Sequence, residues 1–155
     1  MTKTTIRDMQ PSDIPYVQDL LTTIALFPPE MLPDFFAATS GQPGQLWLVG
    51  EADGQIQAMC FAQAEDLAQN VTNMRALGVR GAAHRQGWAA RLVAALEARL
   101  SEEGMRMMVV ETSSLPEYAP ARAFYSASGY AEVARIPEFW APGDAKVVFT
   151  KSLID

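Results

Sequence analysis

The feature that most constrains the fold is an apolar, strand-like segment that passes through a basic, glycine-containing turn into a long amphipathic helix. The strand-like segment ends at Leu77-Gly78-Val79, and the helix is expected over residues 87–103. The residues on one face of that helix are Ala89, Leu92, Val93, Leu96 and Leu100. The first turn of a helix has backbone N–H groups without intrahelical partners, and the helix dipole adds partial positive charge there. The sequence therefore predicts an anion-binding site where the turn meets the helix.

The charge around this turn favours the same interpretation. Residues 67–96 contain no Asp or Glu, although the whole chain carries a formal net charge of −6. The arginines of this window are Arg75, Arg80, Arg85 and Arg91. A local excess of positive charge in an acidic chain indicates a bound polyanion, and a phosphate-bearing cofactor is the interpretation we favour.

Composition is typical of a globular protein, with 49% apolar and 19% charged residues, and the 155 residues predict one domain spanning 1–155. The polar start has no apolar signal-peptide core behind it, and no apolar run approaches the roughly 20 residues that span a bilayer. The single cysteine, Cys60, and the single histidine, His84, provide neither a disulfide framework nor a zinc site. We expect a cytoplasmic, metal-free protein with no membrane partner, and its acidic charge argues against nucleic acid.

Strand and helix signals alternate along the chain. Ser12 is the expected N-cap of a first helix that Pro28-Pro29 ends, and a second short helix buries Leu32, Phe35 and Phe36. The hairpin signal Asp53-Gly54 joins two strands, and Gly104 and Gly129 end two later helices. The expected strands are residues 4–7, 46–49, 55–64, 71–79, 107–110, 131–136 and 146–153. The expected helices are residues 14–24, 30–39, 87–103 and 120–128. This order predicts an α/β fold with a mixed sheet of about seven strands and helices on both faces.

Three segments, in the right order, resemble the GNAT superfamily of N-acetyltransferases over essentially the whole chain. Ile6-Arg7 followed by Pro11-Ser12-Asp13-Ile14 is similar to the usual opening strand and helix start of that family. The acetyl-CoA pattern Arg/Gln-x-x-Gly-x-Gly/Ala corresponds to His84, Arg85, Gln86, Gly87, Trp88 and Ala89, with His84 and Ala89 as departures. Phe124-Tyr125-Ser126-Ala127-Ser128-Gly129-Tyr130 looks like the aromatic-Tyr-x-x-x-Gly-aromatic segment. The resemblance implies a GNAT-type, mostly antiparallel central sheet and acetyl-CoA as cosubstrate.

The resemblance also implies which residues act. The backbone of Leu77 and Val79 would bind the acetyl and pantetheine portions of acetyl-CoA. The residues expected to bind the cofactor beyond that strand are His84, Arg85, Gln86, Gly87, Trp88, Ala89 and Ala90. Tyr125 is the candidate general acid, because a phenol with a pKa of about 10 can donate a proton to a departing thiolate. Glu111 is the candidate base, with Glu65 and Asp66 as alternatives that would act through water. Tyr118 stands where many relatives have an asparagine.

The function predicted is N-acetylation of a primary amine of a small molecule or peptide. The amine would attack acetyl-CoA directly in a ternary complex, because Cys60 lies within a strand and offers no credible covalent nucleophile. The alternative is a non-catalytic acyl-CoA-binding sensor or interaction module. A dinucleotide-dependent oxidoreductase is disfavoured, because residues 87–89 lack the Gly-x-Gly-x-x-Gly spacing. Phe139 and Trp140, expected in an exposed loop over residues 137–142, predict a homodimer.

Overall fold

The computed structural model describes residues 2–154, which form a seven-stranded sheet and four α-helices. The strands are β1 (Thr4–Asp8), β2 (Leu46–Ala52), β3 (Gln55–Ala64), β4 (Val71–Val79), β5 (Met107–Ser113), β6 (Ala131–Ala141) and β7 (Asp144–Ser152). The helices are α1 (Ile14–Leu21), α2 (Leu32–Thr39), α3 (Trp88–Glu102) and α4 (Ala119–Ala127). Within residues 2–154 no helix has both the length and the apolar character needed to cross a membrane.

The sheet is mostly antiparallel, in the order β1-β2-β3-β4-β5-β7-β6. Its one parallel contact joins β4 to β5 and is short, because only residues 71–73 of β4 pair with residues 107–109 of β5. Beyond Asn73 and Val109 the two strands separate, while β4 remains paired with β3 and β5 remains paired with β7. The middle of the sheet therefore opens into a gap, flanked by residues 74–79 on one side and residues 110–113 on the other.

Helices cover both faces of the sheet, as the sequence predicts. On one face, α3 and α4 pack through an apolar cluster that includes Leu92, Leu96 and Tyr125. On the other face, α1 and α2 bury residues such as Val17 and Leu32. Burial of each such leucine or valine side chain contributes about 1.5–3 kcal/mol. The two clusters together hold the sheet rigidly enough to fix the position of the central gap.

A β-bulge on β4 determines which side chain faces the gap. Phe61 of β3 is opposite Ala76, but the next residue, Ala62, is opposite Met74. Arg75 is therefore the extra residue of a bulge and has no partner on β3. Because a bulge re-aims the side chains around it, Arg75 lines the cavity beside the gap together with Met74 and Leu77.

Three predicted turns are present where expected. Asp53-Gly54 joins β2 to β3, with Ala52 opposite Gln55. Gly104 and Gly129 follow α3 and α4 with positive φ angles of 88° and 92°, which stop a helix and favour glycine.

The cap and the length of the first helix were predicted wrongly. Ser12 lies inside a 3-10 turn over Pro11–Asp13, and Asp13 directly precedes α1, with its carboxylate accepting a hydrogen bond from the backbone N–H of Gln10 at 2.7 Å. Arg7 holds that carboxylate with two hydrogen bonds of 2.8 and 2.9 Å. Helix α1 ends at Leu21, before Ile24 and the prolines that were expected to end it. Asp13 makes no side-chain cap hydrogen bond to α1, and its carboxylate, bound by Arg7, holds the turn that leads into the helix.

Two further expectations about exposed aromatic residues need correction. The prediction of a loop over residues 137–142 is wrong, because β6 continues to Ala141. Only Pro142 and Gly143 connect β6 to β7. Strand β6 is the sheet edge and is exposed along its whole length, a place where Pro137 is tolerated. Phe35 is 38% exposed, whereas Leu32 and Phe36 are buried as predicted.

Candidate active site

The gap between β4 and β5 opens into a cavity of about 450 Å³, which we call the β4–β5 cleft. Side chains from three elements that are distant in sequence line it: Arg75 and Leu77 from β4, Glu111 from β5, and Tyr125 from α4. Leu26, Tyr118 and Trp140 complete its outer wall. The splayed strands thus bring the candidate acid, the candidate base and one candidate cofactor-binding residue into one cavity.

Tyr125 reaches this cleft from within the core. The residue is only 9% exposed, and its ring packs against Tyr130, Phe149 and Phe124 at centroid distances of 5.6–6.0 Å. Burial raises the pKa of Tyr125 to about 12. Among residues 2–154 its hydroxyl group has no hydrogen-bond partner. The phenol therefore keeps its proton at neutral pH and is free to donate it to a ligand in the cleft.

Glu111 lies in the cleft with its two carboxylate oxygens in different environments. Oε2 accepts a hydrogen bond from the buried Asn73 at 3.3 Å and lies 3.2 Å from Nζ of Lys146. Oε1 lies 3.8 Å from a guanidinium nitrogen of Arg75, which is too long for a hydrogen bond. One oxygen is therefore engaged, and the other is open to a ligand.

The alternative bases occupy less favourable positions. Glu65 accepts a hydrogen bond from Asn73 at 3.0 Å and lies 3.8 Å from Arg75, on the other side of β4 from Glu111. Asp66 is exposed in the turn after β3. Neither residue lines the cleft.

The turn before α3 has free backbone donors. After the strand, His84 donates its backbone N–H to Gly81 at 3.2 Å, and Arg91 donates to Gly87 at 3.1 Å. Within the described part of the chain, the backbone N–H groups of residues 85–90 between them have no acceptor. Arg85 and Gly87 have positive φ angles of 65° and 78°, and a Cβ added to Gly87 would meet no atom within 4 Å. A run of free N–H groups in front of a helix N-terminus fits a pyrophosphate group.

The four arginines of the basic window over residues 67–96 do not all lie at this turn. Arg80 pairs with Asp19 at 3.5 Å, and Arg75 lies in the cleft between two glutamates. Arg91 stacks over the Trp88 ring at 4.7 Å and donates to the hydroxyl of Thr4 at 3.1 Å. Only Arg85 lies within the turn itself. The positive charge of the window is therefore spread over several contacts, because Arg75, Arg80 and Arg91 each have partners outside the turn.

Four of the predicted cofactor-binding side chains make contacts within the protein, namely those of Leu77, Val79, His84 and Trp88. The His84 ring pairs through Nε2 with the backbone oxygen of Val79 at 2.9 Å. Trp88 is 2% exposed and packs in the core under the sheet. Leu77 and Val79 pack against the same core, while their strand edge has no neighbour on the β5 side. Whatever these residues offer a ligand comes chiefly from their backbone.

Several residues of the cleft were not anticipated as site residues. Arg75 was noted only as part of the basic window, and Asn73 and Lys146, which contact Glu111 from beside the cleft, were not singled out. Lys146 meets Glu111 because β7 pairs with β5, placing Lys146 opposite Ser113. Trp140 reaches the cleft by donating its indole N–H to the backbone oxygen of Thr112 at 3.1 Å. Only the strand pairing brings these residues together, and a single sequence contains no direct signal of it.

Among residues 2–154 no group of three or more His, Cys, Asp or Glu side chains is placed to bind a metal ion. Cys60 is fully buried, and burial raises the pKa of its thiol to about 12. The cleft therefore offers charged, phenolic and backbone groups as its chemistry.

The family model of the GNAT acetyltransferases matches residues 13–130, which include most of the chain, the turn before α3 and most residues of the cleft. The chain therefore belongs to the GNAT acetyltransferase family, a class of acyltransferases. No curated protein sequence matches the chain.

Solved structures show the same fold at low sequence identity. A protein of Desulfovibrio desulfuricans described as a GNAT-family acetyltransferase aligns with a TM-score of 0.89 and 20% identity, covering 98% of this chain and 100% of its own. The ribosomal-protein-S18-alanine N-acetyltransferase of Escherichia coli aligns with a TM-score of 0.82 and 18% identity, covering 99% and 96%. An acetyltransferase of Salmonella typhimurium, solved with acetyl-CoA, aligns with a TM-score of 0.79 and 15% identity, covering 98% and 95%. At these identities the likeness defines the fold, and the substrate must be argued from the site.

Proposed function

We propose that the protein is an acetyl-CoA-dependent N-acetyltransferase acting on a primary amine of a small molecule or peptide. The observation that carries this proposal is the continuity of one segment. Strand β4 borders the cleft at Leu77, and the turn with free N–H groups follows within a few residues of its end at Val79. One stretch of backbone could thus bind the diphosphate of acetyl-CoA and direct its thioester toward Tyr125.

Acetyl-CoA would be held mainly by backbone groups. The free N–H groups of residues 85–90 suit its pyrophosphate, and His84, Arg85, Gln86, Gly87, Trp88, Ala89 and Ala90 are the residues proposed to surround it. The unpaired edge of β4 near Leu77 and Val79 suits the pantetheine amides and the thioester carbonyl. When bound, acetyl-CoA supplies an acyl group on a good leaving group. A backbone N–H directed at the carbonyl oxygen would stabilise the negative charge that develops there.

Tyr125 is proposed as the general acid. As the amine nitrogen bonds to the acyl carbon and the carbon–sulfur bond breaks, the departing thiolate needs a proton. The phenol of Tyr125 is protonated, unpartnered and directed into the cleft, which are the properties that this step requires. Its burial among aromatic rings also fixes its position.

Glu111 is proposed as the group that receives the proton of the amine. A primary alkylammonium, with a pKa of about 10.4, must lose a proton before it can attack. Oε2 of Glu111 is held by Asn73 and Lys146, which orient the carboxylate. Within residues 2–154 Oε1 has no hydrogen-bond donor, so it can accept a hydrogen bond from an incoming ammonium. Glu65 would be the reserve candidate on the opposite side of β4.

Direct attack by the amine is favoured over an acyl-enzyme intermediate. The one thiol of the chain, Cys60, is fully buried in β3, and its raised pKa keeps it protonated. A buried, protonated thiol is a poor nucleophile.

We further propose a homodimer formed through β6, in a cytoplasmic protein. This edge strand is exposed throughout, and Val133, Ile136, Phe139 and Trp140 are each 44–57% exposed. An exposed apolar edge is a common site of association between copies of a chain. Light scattering at micromolar concentration should give twice the monomer mass, and Val133→Lys should reduce it to the monomer mass. A monomer in the parent protein would contradict this proposal.

The central test is thiol release from acetyl-CoA in the presence of a panel of amines. We expect amine-dependent release by the parent protein and a loss of about 100-fold in Tyr125→Phe, within the range for a positioned general acid. Calorimetry with coenzyme A on both proteins separates binding from chemistry. Binding without amine-dependent release would overturn the enzymatic proposal and support the alternative, a non-catalytic acyl-CoA-binding module.

A further inference from the structure

Arg75 brings unused hydrogen-bond donors into the β4–β5 cleft. Its side chain is 43% exposed, and its contacts with Glu65 and Glu111 are both 3.8 Å long. Neither contact is short enough for a hydrogen bond, and among residues 2–154 the guanidinium donates none. A guanidinium presents paired N–H groups that match a carboxylate in a bidentate arrangement. The bulge on β4 therefore places a ready carboxylate-binding group beside the proposed site of acyl transfer.

A group of the opposite charge lies directly next to it. Oε1 of Glu111, the oxygen without a hydrogen bond, is 3.8 Å from the Arg75 guanidinium. A ligand that presents a carboxylate to Arg75 and an ammonium to Glu111 would meet both unused groups at once. In an α-amino acid the carboxylate and the ammonium are attached to the same carbon atom. The two groups are therefore close enough together to contact Arg75 and Glu111 at the same time.

The summed charge of the cluster argues against a multiply charged acceptor. Three carboxylates, those of Glu65, Glu111 and Asp144, lie in or beside the cleft with two cations, Arg75 and Lys146, so the formal charges nearly balance at −1. A polyamine would have to approach Arg75 and Lys146, and a polyanion would have to approach the two glutamates. A zwitterion with no net charge avoids both repulsions.

The outer wall of the cleft is apolar. Leu26, Tyr118 and Trp140 all line it and are 38%, 39% and 47% exposed, although they are large apolar residues. Trp140 is fixed by its hydrogen bond to Thr112. Leu26 can lie close to β4 because Gly78 has no side chain, since a Cβ there would be 2.9 Å from Leu26 Cδ1. A ligand with a large apolar group would cover this wall and remove it from water.

We infer that the acceptor of this cleft is a free α-amino acid with a large apolar side chain, its carboxylate held by Arg75 and its amine presented to Glu111. The inference rests on the proposed function and narrows its substrate from amines in general to one class. Arg75 is then the residue that distinguishes a free amino acid from a peptide N-terminus or a simple amine, because neither of those has an α-carboxylate.

Three probes that differ at one position test this inference: L-phenylalanine, L-phenylalaninamide and phenethylamine. We expect kcat/KM for thiol release to be at least about tenfold higher with phenylalanine than with either of the others, because a charge-assisted bidentate contact is lost without the carboxylate. The amine of phenylalaninamide is a weaker base than that of phenylalanine and is more readily deprotonated. This property alone would make phenylalaninamide the better substrate, so it opposes the expected preference for phenylalanine. An equal or higher kcat/KM with the amide or with phenethylamine would overturn the inference.

Arg75→Gln tests the residue itself. The variant should raise KM for phenylalanine by about tenfold, and it should reduce the preference for phenylalanine over phenethylamine in kcat/KM by a similar factor. Arg106→Gln is the matched control: this exposed arginine lies outside the cleft, bonds the backbone oxygen of Gln69, and should show none of these effects. An equal effect of Arg75→Gln on phenylalanine and phenethylamine would contradict the carboxylate contact.

Calorimetric titration of phenylalanine into the coenzyme A complex separates this inference from the proposed function. Phenylalanine binding that Arg75→Gln weakens, without turnover of any amine, would uphold the amino-acid site and overturn the enzymatic proposal. Turnover of other amines without phenylalanine binding would do the reverse.

Discussion

The turn at residues 84–90 and the β4–β5 cleft are both adjacent to β4, but they present different atoms to a ligand. The turn presents backbone N–H groups, while the Trp88 side chain is buried and the exposed His84 ring is paired with the backbone oxygen of Val79. The cleft presents side chains, namely a buried phenol, a carboxylate and a guanidinium. Substitutions in the turn should therefore matter when they change backbone conformation or charge. Substitutions in the cleft should matter when they remove a single functional group.

The turn and the cleft also differ in which residues can be substituted without losing a ligand-binding group. Any residue other than proline supplies a backbone N–H, so the departures at His84 and Ala89 from the family pattern leave the donors of the turn in place. No such substitute exists for the hydroxyl of Tyr125 or the guanidinium of Arg75. The turn accordingly suits the part of the ligand that a family has in common, and the cleft suits the part that differs.

The largest effect is expected from deleting one atom in the cleft. Tyr125→Phe keeps the ring and its contacts with Tyr130 and Phe149 but removes the hydroxyl. We expect kcat to fall by roughly 100-fold, with folding and coenzyme A affinity nearly unchanged. Tyr118→Phe is the matched control in the same cleft and should change kcat far less. If Tyr125→Phe retains nearly normal kcat while Tyr118→Phe loses it, the acid has been assigned to the wrong tyrosine.

The next largest effect is expected from the backbone of the turn. Gly87→Glu puts a side chain on a residue with φ of 78° and a negative charge at a helix N-terminus, so we expect coenzyme A affinity to fall by roughly tenfold. Gly41→Glu is the matched control, because Gly41 has φ of 79° and open space around it but lies after α2, away from the turn. Calorimetry should show a loss for Gly87→Glu alone. Unchanged affinity in a folded Gly87→Glu protein would mean that the phosphates bind elsewhere.

The buried phenol should also make folding stability depend on pH. The pKa of Tyr125 is about 12 in the folded protein, against about 10 when unfolded. Because the folded value is the higher, the stabilisation is complete below pH 10 and is lost as the pH rises toward 12. Between pH 8 and pH 11 the titration of Tyr125 should lower the free energy of unfolding by about 1.4 kcal/mol.

Urea unfolding of the parent and Tyr125→Phe at both pH values measures that contribution. Other alkaline titrations, such as that of Cys60, remain in both proteins, so the difference between the two slopes isolates Tyr125. A parallel loss of stability in both proteins would mean that the Tyr125 hydroxyl titrates as if it were in water, and the cleft would then be wetter than the packing indicates.

Most of the sheet could be predicted from the sequence, because strand and helix periodicity is a local property. The hairpin at Asp53-Gly54 and the helix stops at Gly104 and Gly129 are present, since each depends on a conformation that its own residue favours. The predicted Ser12 cap is wrong, because Ser12 lies in the 3-10 turn before α1, and the neighbouring Asp13 carboxylate is bound by Arg7 and by the backbone N–H of Gln10.

The cleft could be predicted only in part. Tyr125 and Glu111 were singled out through family motifs and strand order, but the role of Arg75 depends on a bulge that no local pattern marks. Lys146 reaches Glu111 only through the pairing of β5 with β7. Likewise Pro137 suggested a loop, whereas an edge strand tolerates it and carries Trp140 to the cleft. Sites built from long-range strand pairing are visible only once the pairing is known.

The smallest effect is expected at Arg85, where the contributions of the backbone and the side chain of the turn to coenzyme A binding can be measured separately. Arg85 has φ of 65°, a left-handed conformation that costs a residue with a side chain about 1–2 kcal/mol. Glycine relieves that strain but gains freedom in the unfolded chain, so Arg85→Gly should raise the unfolding free energy by only about 0.5 kcal/mol.

If the backbone N–H groups of the turn do most of the binding, the coenzyme A affinity of Arg85→Gly should fall by less than about threefold, the usual contribution of one exposed charge. Arg85→Asn, which tolerates the same conformation, should give the same affinity and confirm that only the charge was lost. A loss beyond tenfold in both variants would instead assign phosphate recognition to the guanidinium, and the turn would then depend on a side chain as the cleft does.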